Sequence, residues 1–272
     1  MDFNIELSGG VILRGFIQSP GESTRAVIVM VHGVGEHIKR YNNWADLFKK
    51  EGIGFAGVDL PGHGRSDGKR GYIRNYSILA EMIDILIKTA SRTFPGIPLY
   101  LYGQSLGGGI VLVYILHRSP RIKGAIITSP WLRLAFEPPK IKVIIASVLK
   151  YFLPSLIQPS GLNTSHLSRN KAVVEKYNTD PLVHSKISVS LFHAAMGAAA
   201  YSLSHGSELR IPTLILHGSD DQITSPEGSK EFASLSNMAE LKIWDGGFHE
   251  LHNEPDSKEV FKYIISWISR QA

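Results

Sequence analysis

Ser105 is boxed by glycines in Tyr102-Gly103-Gln104-Ser105-Leu106-Gly107, and the G-x-S-x-G spacing is that of a nucleophile elbow. A serine hydroxyl attacks a carbonyl only when a base takes its proton, and the base must in turn be oriented by a carboxylate. Downstream, Thr213 to His217 runs into Gly218-Ser219-Asp220-Asp221, and Leu241 to Trp244 runs into Asp245-Gly246-Gly247-Phe248-His249. Serine, acid, histidine is the order in which an elbow serine meets its partners, each on a loop after a strand. The chemistry implied is acyl transfer through a serine. Spacing does not separate Asp220 from Asp221, whereas His249 follows the glycine turn directly and His252 lies three residues on. We favour Asp221 and His249, with Asp220 capping or solvated and His252 structural.

A tetrahedral intermediate also needs hydrogen-bond donors for its oxyanion. One expected donor is the backbone N–H of Leu106, the residue after the nucleophile. The second is expected from the loop after an earlier strand, where Val29 to Val31 runs into His32-Gly33-Val34-Gly35; we assign it to the N–H of Val34. The elbow pattern recurs at Gly64-Arg65-Ser66-Asp67-Gly68, but its neighbours Pro61, Gly62, His63, Lys69 and Arg70 read as a polar loop with no helix behind it. Ser105 instead follows the apolar strand at Leu99 to Tyr102 and precedes an apolar helix from Leu106 to His117.

Those loops need a scaffold. A hairpin is expected around Gly9-Gly10, from Phe3 to Leu7 and Val11 to Ile17. Strands and helices then alternate: Ala26 to Val31, Tyr41 to Glu51, Phe55 to Asp59, Tyr76 to Arg92, the Ser105 strand and helix, and Gly124 to Thr128. The alternation resumes with Thr213 to His217, Pro226 to Leu235, Leu241 to Trp244 and Lys258 to Ser269. Near-continuous apolar strands between helices predict a mostly parallel sheet covered on both faces, with ligands beyond the carboxyl ends of the strands. Between about Pro130 and Arg210 the alternation stops, and the segment reads as a helical cap. Its most apolar piece, Ile141 to Leu153, is too short to cross a bilayer. It reads either as a helix packed in the cap or as a lid that lines an acyl channel or dips into a membrane, with Lys142 and Lys150 facing phosphates.

At 272 residues the chain is long enough for one α/β domain with an insertion, and its 43% hydrophobic content leaves no disordered linker or repeat. The absence of cysteine excludes disulfides, thiolate metal sites and a cysteine nucleophile. A formal charge of +5, carried by scattered basic residues, argues against nucleic acid as a partner and is compatible with attraction to an anionic membrane surface. No basic segment followed by an apolar stretch opens the chain, so the expected location is cytoplasmic, peripheral at most to a membrane. Gly52-x-Gly54-x-x-Gly57 enters a strand where a dinucleotide fingerprint would leave one. His249-Glu250-Leu251-His252 is one residue short of a zinc-binding H-E-x-x-H, and His32 to Glu36-His37 is one too long for the inverted form, so neither metal nor cofactor is expected.

His32-Gly33-Val34-Gly35-Glu36-His37, Asp59-Leu60-Pro61-Gly62-His63-Gly64-Arg65-Ser66, the Ser105 elbow, and the cap stretches Leu167 to Lys171 and Tyr177 to Leu182 resemble monoacylglycerol lipases and their lysophospholipase-like relatives in the α/β-hydrolase superfamily. The resemblance covers nearly the whole chain, cap included. It implies an α/β-hydrolase core formed by residues 1–129 and 211–272, with a helical cap at 130–210 inserted between two strands. It further implies an esterase that releases fatty acid and glycerol from a monoacylglycerol through an acyl-enzyme, with Asp221 as the acid. By the same resemblance Glu36, Arg40 and Tyr177 are candidates to hold the glycerol end. Gln104 stands where the family usually has histidine, which implies a rearranged polar pocket beside the nucleophile. A lysophospholipase or broad carboxylesterase is the alternative, and a serine peptidase or a non-catalytic binding protein ranks lower. The expected partner is a lipid ester, with peripheral membrane contact through the cap; no oligomeric state follows from the sequence.

Overall fold

The structure is a computed structural model that describes residues 1–136, 149 and 151–271. Its centre is an eight-stranded sheet in the order β1-β2-β4-β3-β5-β6-β9-β10. The strands of this sheet are β1 (Asp2–Leu7), β2 (Val11–Gln18), β3 (Ala26–Val31), β4 (Ile53–Val58), β5 (Leu99–Gln104), β6 (Gly124–Thr128), β9 (Thr213–Gly218) and β10 (Ala239–Trp244). The hairpin β1–β2 lies antiparallel at one edge, and every pairing from β4 to β10 is parallel. The mostly parallel sheet expected from the alternation is therefore present.

The strands β3 to β6 and β9 are buried along their whole length, which is why they read as unbroken apolar runs rather than alternating ones. Both faces carry a core. On one, helices α2 (Ser77–Thr93) and α3 (Leu106–Arg118) cover Val27, Val29, Leu101 and Ile127. On the other, α1 (Asn42–Lys50) and α7 (Ser257–Arg270) cover Ile28, Met30, Tyr100 and Leu216. Helix α6 (Pro226–Ser234) connects β9 to β10. Parallel strands all end on the same side, so the loops after β3, β5, β9 and β10 meet there.

Between β6 and β9 the chain leaves the sheet. This segment contains α4 (Lys171–Thr179) and α5 (Val189–His205), and also two short strands, β7 (Ile157–Pro159) and β8 (Lys186–Ser188), paired antiparallel. The expectation of a purely helical cap is corrected on this point: Gln158 pairs with Ile187, burying Ile187 against the main core. The cap is tied to the core by backbone bonds from His184 N–H to Gly35 O at 2.8 Å and from Ser188 N–H to Gly71 O at 2.8 Å. His37 Nε2 and Asp180 Oδ2, 2.9 Å apart, add a side-chain link. Most of the apolar segment Ile141 to Leu153, with Lys142 and Lys150, lies outside the described residues.

Candidate active site

Strand β5 passes into α3 through Ser105, whose φ of 54° and ψ of −117° are strained for any residue but glycine. The flanking glycines are required by contact. A Cβ on Gly103 would lie 2.5 Å from Gly107 O, and one on Gly107 would lie 2.1 Å from Val31 O. Both are impossible approaches, so only glycine lets the turn close against β3. The rival serine is different. Ser66 donates to Asp59 O at 2.7 Å and accepts the Arg14 N–H at 2.9 Å, buried in a loop that it holds together.

The acid loop and the histidine loop pack equally closely, since a Cβ on Gly218 would sit 2.1 Å from Gly247 O. This brings Asp221 and His249 together: Asp221 Oδ2 lies 2.7 Å from His249 Nδ1, and both side chains are buried. A carboxylate only accepts, so Nδ1 carries the proton and Nε2 is left with a lone pair. Asp220, by contrast, is exposed and accepts from the hydroxyl of its neighbour Ser219. His252 is buried and stacked on Tyr41 at 4.7 Å between centroids. Burial pushes its pKa down to about 4 and keeps it neutral.

Asp221 has more partners than the sequence revealed. Its Oδ1 accepts the N–H groups of Ile223 at 2.8 Å and Thr224 at 3.0 Å, and its Oδ2 also accepts the Thr224 hydroxyl at 2.9 Å. A second imidazole reaches the same Oδ2: His217 Nε2 lies 3.1 Å from it and 3.1 Å from Thr224 O. Both neighbours are acceptors, so His217 must be protonated at Nε2; its Nδ1 meets the Ser229 hydroxyl at 2.7 Å. Burial acts to raise the Asp221 pKa, but the two imidazoles outweigh it and hold the group well below the usual carboxylate range. For His249, burial opposes the charged form, yet Asp221, with Glu250 and Glu36 behind it, raises the pKa above the ordinary value.

The loop after β3 is held from two sides. Leu60 N–H donates to His32 Nε2 at 2.9 Å, so the proton is on Nδ1, which donates to Gly33 O at 2.8 Å. Because a trans peptide is planar, fixing the Gly33 carbonyl also fixes the Val34 N–H, which points the opposite way. Gly33 N–H donates to Glu36 Oε1 at 2.7 Å, and a Cβ on Gly33 would lie 3.3 Å from Ser105 Cβ. The loop thus runs alongside the serine. Leu106 N–H, in the first turn of α3, is one of the amides that a helix leaves without an internal partner.

Of the three residues expected to hold the glycerol end, Glu36 and Tyr177 line the cavity and Arg40 does not; Gln104, expected beside the nucleophile, lines it too. Glu250 also lines the cavity, although in the sequence it stands out only within the incomplete H-E-x-x-H pattern. Arg40 is turned away from the cavity between two carboxylates. It pairs with Glu36 Oε2 and makes two bonds of 2.7 Å to Glu250, beneath the Tyr177 ring at 4.6 Å. The expectation that Arg40 contacts glycerol is corrected: two buried acids take up its guanidinium. Burial acts to raise the Glu250 pKa, but Arg40 overrides this and brings it to about 2, so Glu250 is ionised. Gln104 is also occupied, since its amide accepts from Thr128 and donates to His249 O at 3.2 Å. It braces the histidine loop.

Ser105 and His249 lie on one cavity of about 200 Å³. Trp131, Leu134, Phe192, Ile187, Leu162 and Ile223 give it apolar walls, and Glu36, Glu250 and Tyr177 supply polar groups near His249. Among the described residues no cluster of side chains could hold a metal ion.

Residues 22–256 match the family described as serine aminopeptidase, S33. The chain belongs to this family. It is therefore a serine hydrolase of the α/β-hydrolase fold, as the sheet and the elbow require. This family member is 31% identical to the monoacylglycerol lipase of Mycolicibacterium smegmatis, over 96% of this chain and 94% of the relative. It is 31% identical to phospholipase YtpA of Bacillus subtilis, over 87% and 92%. It also spans 26% of a longer abhydrolase domain-containing protein of Dictyostelium discoideum, at 31% identity over 90% of this chain. Among solved structures, the monoacylglycerol lipase of Paleococcus ferrophilus superposes with a TM-score of 0.87 at 32% identity, covering 95% of this chain and 99% of that one.

Proposed function

We propose that this serine hydrolase cleaves monoacylglycerols, with Ser105 as nucleophile, His249 as base and Asp221 as the orienting acid. The observation that carries the reading is one apolar-walled cavity holding the strained elbow serine, a histidine whose Nδ1 is held by Asp221 so that Nε2 keeps the lone pair, and polar groups beside that histidine. His249 Nε2 takes the Ser105 proton as Oγ attacks the ester carbonyl. The oxyanion is received by the N–H groups of Val34 and Leu106; each such donor is worth roughly 10²- to 10³-fold in rate. His249, now an imidazolium facing Asp221, returns the proton to the departing glycerol oxygen. Water then repeats the cycle on the acyl-enzyme and releases the fatty acid.

The test is a set of initial rates on a monoacylglycerol, a lysophosphatidylcholine, short p-nitrophenyl esters and an aminoacyl p-nitroanilide. The expected result is the highest kcat/KM on the monoacylglycerol, with Ser105→Ala lower by at least about 10⁴-fold. A preference for the anilide would transfer the reading to a peptidase, and a preference for short esters would leave the chemistry without the lipid.

A membrane surface is part of the same reading. Phe152 is 76% exposed and Tyr151 75%, beside the half-exposed Leu153 and Leu156, on the cap. Among the described residues no helix is long and apolar enough to cross a membrane, so the contact proposed is peripheral. Phe152→Ser should slow turnover of vesicle-borne monoacylglycerol several-fold and leave a dissolved short-chain substrate unaffected. Equal rates on vesicles would refute the contact.

A further inference from the structure

We propose that the paired acids Glu36 and Glu250 make the leaving-group end of the cavity an electrostatic filter that rejects phosphate-bearing head groups. This rests on the functional reading only in taking the leaving alcohol to lie beside His249. Among the described residues the acidic and basic side chains lining the cavity are these two glutamates and the histidine itself; no lysine or arginine reaches it. Arg40, the nearest cation, is only 9% exposed and spends its guanidinium on both acids. Two acidic side chains therefore share one guanidinium next to the reacting atoms, so acids outnumber the cation there.

The arrangement fixes which side of the substrate meets this charge. The departing oxygen must take its proton from His249, so the head group lies on the histidine side and the acyl chain extends along the apolar walls. Glu250 directly follows His249, and Glu36 holds the N–H of Gly33 in the adjoining loop, so both carboxylates sit at the head-group end. Glycerol can donate hydroxyl protons to carboxylates. A phosphate monoester has none on its phosphate once fully ionised, and brings like charge into a mostly apolar-walled site that screens poorly. A cationic head group would be tolerated. The same negative charge favours the imidazolium formed on His249 in the reaction, so the pair serves catalysis and selection together.

The experiment uses three dissolved hexanoyl esters with one acyl chain and different head groups: glycerol, glycerol 3-phosphate and choline. For the wild-type chain, kcat/KM on the phosphate ester is expected to lie more than tenfold below that on the glycerol ester. Glu250→Gln should lower every rate but bring the phosphate-to-glycerol ratio at least threefold closer to one, and should lower the choline-to-glycerol ratio. Glu36→Gln gives an independent second reading, with thermal unfolding checking that each variant is folded. Discrimination below tenfold in the wild type, or a ratio that both substitutions leave within threefold, overturns the proposal. Failure of the monoacylglycerol reading would look different: ethyl hexanoate, run alongside as a second uncharged ester, would be cleaved as well as the glycerol ester while the order set by charge persisted.

Discussion

Five donors converge on the two oxygens of Asp221, and two of them are imidazoles. Each donor that shares the carboxylate weakens its hold on His249, so His217 moderates how strongly the acid favours the imidazolium. Replacing His217 by Leu removes one donor and leaves Asp221 a stronger partner for His249. The pKa of His249, already above the ordinary value, should rise further, and the acid limb of the kcat/KM profile should move to higher pH. The plateau should fall about tenfold, which is ~1.4 kcal/mol of transition-state stabilisation. His217→Gln keeps an N–H donor and should keep the wild-type limb; a limb unmoved in His217→Leu would contradict the assignment. The pairing of Asp221 with His249 was legible because each residue follows a strand through a glycine-bearing turn. His217 was not, because a histidine within a buried strand reads as core, and only the turn at Thr224 folds Asp221 back onto it. A buried histidine four residues before a loop aspartate was the available signal.

At the scale of elements, among the described residues no backbone hydrogen bond joins the loops after β3 and β10. Arg40, at the approach to α1, joins them through Glu36 and Glu250, and the Tyr41 hydroxyl adds a bond of 2.8 Å to Glu36. Replacing Arg40 by Met would leave two buried carboxylates without their cation, a loss on the order of 3–5 kcal/mol. Urea denaturation should report a drop of that size, together with a large fall in kcat; a stability change under about 1 kcal/mol would remove the link from the account. The sheet and helices were readable because buried parallel strands are apolar without interruption and the helices between them carry one apolar face. The clamp was not, because its members are 4 and 210 residues from Arg40 and each looks like an ordinary surface charge. The strands β7 and β8 were missed because three residues apiece carry no alternation to detect.

Over the whole molecule, one sheet with its strand ends on a common side brings Ser105, Asp221, His249 and the loop after β3 together, and the segment between β6 and β9 roofs them with apolar side chains. The second elbow motif shows why context decides. Ser66 has the same flanking glycines but stabilises a loop, while Ser105 is strained and faces the cavity. The central claim is that acyl transfer runs through Ser105, and the direct measurement is the site of covalent modification by a fluorophosphonate, mapped by peptide mass spectrometry. A single adduct is expected on Ser105, lost in Ser105→Ala and formed more slowly in His249→Ala. An adduct on Ser66, or none on Ser105 in an enzyme that still hydrolyses esters, would contradict that claim.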